Sequence, residues 1–124
     1  MLDKILVPLD GSEMFPETLG YIRELGKAEA TEVFLLHVQD PAGGHSDDNA
    51  AGHPLLKGYF DDLRNDGWKV TAELRTGDPV EEITRFTVQT DPDLLLMSPH
   101  GRSGLENIRQ GSITEQVVRQ SPCP

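Results

Sequence analysis

Of the 124 residues only one is cysteine, Cys123, so the chain can build neither an intrachain disulfide framework nor a cysteine-rich zinc site. It has little long-range hydrophobicity: 36% of residues are hydrophobic, the mean hydropathy is −0.41, and the apolar runs are short. None approaches the ~18 consecutive apolar residues of a membrane-spanning helix. Basic residues are scarce, with 11 Lys and Arg against 21 Asp and Glu and a formal net charge of −10. Non-specific nucleic-acid affinity rests on Lys and Arg displacing counterions, so a general polyanion binder is excluded. No secretory signal pattern stands at the start, where Met1-Leu2-Asp3-Lys4 runs into a strand-like stretch. The expectation is one soluble, cytoplasmic domain over 1–124, with no nucleic-acid or membrane partner.

What is present is unevenly charged. Residues 1–66 hold 5 basic and 13 acidic side chains, residues 67–124 hold 6 and 8, and within 98–124 three Arg face two Glu. The acidic excess reads as a solvated face. The stretch with the least acid is also rich in glycine.

Along the chain, Ile5-Leu6-Val7 is an apolar run cut off by Pro8 and Asp10-Gly11-Ser12, the pattern of a strand buried on both faces. Phe15, Leu19, Ile22 and Leu25 follow at helical spacing up to Gly26. Val33–Val38 repeats the buried-strand pattern. Residues 40–53 are turn formers and small polar residues, and read as a mobile loop. Leu55, Leu56, Tyr59, Phe60 and Leu63 mark a short amphipathic helix closed by Gly67. Trp68, Val70, Ala72 and Leu74 alternate with polar residues, as on an edge strand. Asp78-Pro79-Val80-Glu81 is a helix start with a capping residue and proline at the first position, and Val80, Ile83 and Phe86 supply its inner stripe. Asp93–Met97 reads as a further buried strand. Gly111-Ser112 opens a last helix through Val117 and Val118.

Strands alternating with helices predict an α/β fold, a doubly wound open parallel sheet of order β-α-β-α-β-α-β-α. Ligands of such sheets bind beyond the carboxyl ends of the strands, where strand order reverses. That points to residues 8–12 and 97–112. Glycines in the second segment let a backbone approach phosphate oxygens, and the following helix start offers free N–H groups and a partial positive charge. The spacing is neither that of a P-loop nor of a dinucleotide fingerprint.

Three separated segments carry a family likeness: Ile5-Leu6-Val7-Pro8-Leu9-Asp10-Gly11-Ser12, Leu35-Leu36-His37-Val38, and Met97-Ser98-Pro99-His100-Gly101-Arg102-Ser103-Gly104 followed by Gly111-Ser112. In this order they resemble the universal stress protein family across the whole chain. That family's ATP pattern is Gly, two residues, Gly, nine residues, then Gly-Ser or Gly-Thr. Gly101, residues 102–110 and Gly111-Ser112 match it, while Ser98 stands in place of the first glycine.

The resemblance implies strand order 3-2-1-4, with a fifth strand that this chain lacks, since it stops after Cys123-Pro124. It implies an adenine nucleotide as ligand: ATP, with Mg²⁺ if phosphate is bound, in a stress-response regulatory protein. Asp10 would meet the ribose or a metal, with Pro8 and Leu9 shaping its turn. Val38 would touch adenine. Met97, Ser98 and Gly101 would flank ribose and phosphates, with Arg102 within reach of phosphate. Gly111, Ser112 and Ile113 would present donors to the phosphates. Each has a plainer role available: Asp10 in a turn, Ser112 with Glu115 as a helix cap. His37 reads as a structural histidine at a strand end. His45 with Asp47 and Asp48, His100 and Cys123 offer no assembled metal or catalytic group. No nucleophile–base pair is legible, so slow ATP hydrolysis is the most chemistry expected. The alternative function is a family member without nucleotide, serving protein interaction. A receiver domain would need a cluster of acids that Asp10 alone does not supply. Leu94-Leu95-Leu96-Met97, at the sheet edge in this order, calls for a cover, such as a homodimer or other self-association.

Overall fold

Ile5, Leu6 and Val7 are the centre of the sheet, and all three are fully buried. In the computed structural model, which describes residues 2–11, 15–41 and 49–97, they lie on β1 (Lys4–Pro8). The other elements are α1 (Phe15–Leu25), β2 (Glu32–Gln39), α2 (Pro54–Asn65), β3 (Lys69–Thr76), α3 (Pro79–Thr90) and β4 (Leu94–Leu95). All strand pairs are parallel, in the order β3-β2-β1-β4. The final expected helix falls outside the described residues.

Topology assigns the faces. From β1 to β2 to β3 the chain steps the same way, and right-handed crossovers then put α1 and α2 on one face. Leu19 and Ile22 of α1 and Leu56, Tyr59 and Leu63 of α2 pack there against Ile5, Val7, Val33 and Leu35. From β3 the chain returns past β1 to β4, which puts α3 on the other face. Its Val80, Ile83 and Phe86 pack against Leu6 and Leu36. Both faces of β1 and β2 are therefore covered, which explains their continuous apolar runs. On β3, Val70, Ala72 and Leu74 pack against the α1–α2 side. The other face carries Arg75, whose guanidinium lies 4.9 Å over the Phe86 ring and pairs with Glu73. The alternation is thus that of an edge strand.

Three expectations need correction. The apolar stripe of α1 is narrower than its spacing suggests: Phe15 and Leu25 stand at 36% and 45% exposure. Phe15 instead covers the Tyr59 ring, 4.5 Å between centroids. The loop over 40–53 holds ordered structure at its end. A single 3-10 turn, Ala50–Gly52, is capped by Asn49, and His53 then caps α2. The strand over Asp93–Met97 shortens to Leu94–Leu95, and Leu94 to Met97 are half-buried. The cause is edge position: among the described residues β4 pairs on one side only, with β1.

The amino end of the sheet is clamped by polar side chains. The Asp93 carboxylate accepts from the backbone N–H groups of Asp3 (2.8 Å) and Lys4 (2.9 Å). Lys4 Nζ donates to the Thr90 carbonyl at the end of α3 (3.1 Å), where a cation also suits the helix dipole. Thr31 donates its hydroxyl to the Leu2 carbonyl (2.7 Å). The Lys4 N–H, then that of Asp3, holds the Asp93 carboxyl below the usual carboxylate range.

Candidate functional site

Strand order reverses between β1 and β4: the chain leaves β1 towards β2 on one side and returns on the other. In open parallel sheets, ligands bind beyond the carboxyl ends of the strands at such a reversal. Pro8 ends β1 in register with Leu36, and proline, lacking an N–H, suits a strand end. The Leu9 N–H still donates to the Leu36 carbonyl (2.8 Å), so pairing runs one residue beyond the strand. The chain then turns through half-buried Asp10 to Gly11, whose φ of +94° disfavours residues with a Cβ. A Cβ at Gly11 would also lie 3.1 Å from Leu55 Cδ2.

The expected site residues are partly brought together. Pro8, Leu9 and Asp10 form the turn at β1, and Met97 follows β4 beside it. Val38, near the carboxyl end of β2, shares the α3-side face with Met97, both half-buried against Leu6 and Leu36. Leu9 packs on the opposite face, in the α1–α2 core. Ser98, Gly101, Arg102, Gly111, Ser112 and Ile113 lie outside the described residues. So do His45, His100 and Cys123.

Two histidines join the turn. His37 is buried on β2, and its Nδ1 lies 2.8 Å from the Leu9 carbonyl oxygen. A carbonyl only accepts, so Nδ1 carries the proton. This is the structural histidine expected at that strand end. The His53 ring lies 5.0 Å from it, centroid to centroid. His53 Nδ1 accepts from the Leu55 N–H (3.2 Å), which caps α2 ahead of Pro54. Sequence reading missed His53. Its position directly before a proline that opens an amphipathic helix was the available signal. Gly11 was read as a turn residue and Leu55 as part of a helix face, without their contact with each other.

Among the described residues no three His, Cys, Asp or Glu side chains gather to hold a metal. None of the described helices is long and apolar enough to cross a membrane. Asp10 is half-buried in the turn, and Val38 and Met97 are half-buried on the α3-side face.

Comparison with known proteins decides the lineage: the model of the universal stress protein family matches residues 1–124. The chain belongs to the universal stress protein family. Universal stress protein MJ0531 of Methanocaldococcus jannaschii is 30% identical over 133 residues, covering 98% of this chain and 78% of that protein. A universal stress protein family protein of Arabidopsis thaliana, solved with AMP bound, superposes with a TM-score of 0.69 at 22% identity, covering 98% of this chain and 86% of the other. A universal stress protein solved in complex with cAMP gives a TM-score of 0.72 at 20% identity, covering 98% and 92%. At such identities the two structures bear on the fold alone, and they agree with the α/β parallel sheet of the described residues.

Proposed function

We propose that this chain binds an adenine nucleotide beyond the carboxyl ends of β1 and β4 and acts as a nucleotide-responsive regulator in stress adaptation. The observation that carries the reading is the Pro8–Gly11 turn, set at the point of strand reversal with Asp10 at its mouth. The AMP and cAMP complexes of two structural relatives support the ligand class. In this reading Val38 and Met97 offer apolar contact to the base and sugar, and Asp10 accepts from ribose hydroxyls. Gly101 and Arg102, with Gly111, Ser112 and Ile113 at a helix start, receive the phosphates. Ser98 gives a hydroxyl where the family pattern has glycine. ATP is the favoured form, because the spacing from Gly101 to Gly111-Ser112 fits the family's phosphate pattern. Mg²⁺ would enter with the phosphate oxygens and Asp10 as ligands. The protein is cytoplasmic in this reading and self-associates through the outer side of β4.

The test is direct. Purified protein is denatured and the supernatant searched for adenine nucleotide; melting is then followed with AMP, cAMP and ATP, with and without Mg²⁺. A ligand of the native state raises Tm, and ATP with Mg²⁺ is expected to raise it most. Gly111→Val should abolish that rise. No released nucleotide and no shift at millimolar ligand would overturn the reading and favour a family member devoted to protein interaction.

A further inference from the structure

The contacts around Gly11 close into a ring. The Leu9 carbonyl meets His37 Nδ1, the His37 ring lies against His53, His53 Nδ1 holds the Leu55 N–H, and the Leu55 side chain returns to Gly11. Every link is short: 2.8 Å, 5.0 Å between ring centroids, 3.2 Å, and 3.1 Å from a Cβ built on Gly11 to Leu55 Cδ2. Both imidazoles are buried, at 8% and 9% exposure, so each is held by its neighbours rather than by solvent. The far side of the ring is the capped segment before α2, where Asn49 Oδ1 accepts from the Gly52 N–H (2.8 Å).

We infer that His37 and His53 form a bridge that positions the Leu9–Gly11 turn and couples it to the amino end of α2. His37 is the positioning residue: its ring N–H fixes the carbonyl one residue before Asp10. His53 is the coupling residue, because one imidazole both lies tilted against His37 and caps the helix. Ordering of the turn and ordering of residues 49–57 therefore favour each other. Resting on the adenine-nucleotide reading, the same bridge makes nucleotide occupancy tighten the amino end of α2. By reciprocity, any event that loosens that helix end weakens the nucleotide.

Amide hydrogen exchange on the full chain, without ligand and with AMP, tests both parts. Without ligand, His37→Leu should speed exchange at Leu9, whose N–H donates to the Leu36 carbonyl, and at Gly52, Leu55 and Leu56 together, by about tenfold, for loss of one buried bond. His37→Asn, whose side-chain nitrogen can take the place of Nδ1 but which lacks the ring facing His53, should restore slow exchange at the turn and not at Gly52, Leu55 and Leu56. Acceleration by His37→Leu confined to one side, or full restoration of the α2 side by His37→Asn, would overturn the bridge. Should His37→Leu fail to melt cooperatively, His37→Gln replaces it, since its amide cannot reach the Nδ1 position. With AMP, the native protein should gain protection at Gly52–Lys57, and His53→Ala should bind AMP without that gain. His37→Leu should weaken AMP about tenfold, and should weaken it no further in an Asp10→Ala background, as expected for residues acting through one another. Additive losses would overturn the positioning role. A native protein that binds no AMP would refute the nucleotide reading, while the ligand-free exchange would still decide the bridge.

Discussion

The two ends of the same four strands are built differently. At the amino end, the side chains of Asp93, Lys4 and Thr31 are spent on backbone groups of neighbouring segments. At the carboxyl end, a left-handed glycine, a half-buried aspartate and two imidazoles in tilted contact gather around a turn. The first arrangement fixes β4 against β1. The second joins the turn after β1 to β2 and to the start of α2. In the proposed nucleotide reading, binding is separated from anchoring along the strand axis, and changes at the two ends should have separable effects.

The largest effect should come from the strand they share. Leu6 is fully buried, in register with Phe34 on β2 and Leu95 on β4. Leu6→Ala should cost about 2–5 kcal/mol in denaturant unfolding and degrade both ends at once. Next is Gly11→Val, which places a β-branched residue at φ +94° against Leu55. It should cost about 1–3 kcal/mol and remove nucleotide binding, with the amino end intact by hydrogen exchange.

Asp93 sharpens the contrast through pH. Its carboxyl is held low by the Lys4 N–H and then the Asp3 N–H. A carboxyl lowered on folding stabilises above its unfolded value, about 3.9, and loses that contribution as pH falls through the lower folded value. Asp93→Asn keeps an acceptor and loses the charge. Its Tm deficit against the native protein should be present at pH 7 and shrink below about pH 4. The smallest effect belongs to Lys57. Asp61 raises its pKa through a hydrogen bond and its charge, yet the pair is exposed, and lysine stands amino-terminal to the acid, the weaker helical orientation. Lys57→Met should leave both Tm and nucleotide affinity unchanged, in low or high salt.

Much of this was legible in the residues. Buried strands announced themselves as Ile5-Leu6-Val7 and Val33–Val38, because strands covered on both faces need no polar alternation. The Asp78-Pro79 start of α3 followed from capping chemistry, and Asp78 does accept from the Glu81 N–H (3.0 Å). The turn at Pro8–Asp10 followed from Pro8 and Asp10-Gly11-Ser12 after an apolar run, and the strand order that makes it a candidate site came from the family resemblance. What could not be read were the partnerships across long sequence separation. Asp93 looks like a strand-leading polar residue until Asp3 and Lys4 stand beside it. His53 looks like loop until its ring is seen against His37. The length of β4 was overestimated because four apolar residues in a row cannot reveal that a strand pairs on one side.

The most direct measurement compares Asp10→Ala with Asp93→Ala by calorimetric titration of ATP with Mg²⁺ and by melting without ligand. Separated roles predict that Asp10→Ala weakens binding at least about tenfold, and that Asp93→Ala lowers Tm with affinity retained. Native-like binding by Asp10→Ala, or a loss of affinity in Asp93→Ala as large as in Asp10→Ala, would contradict it.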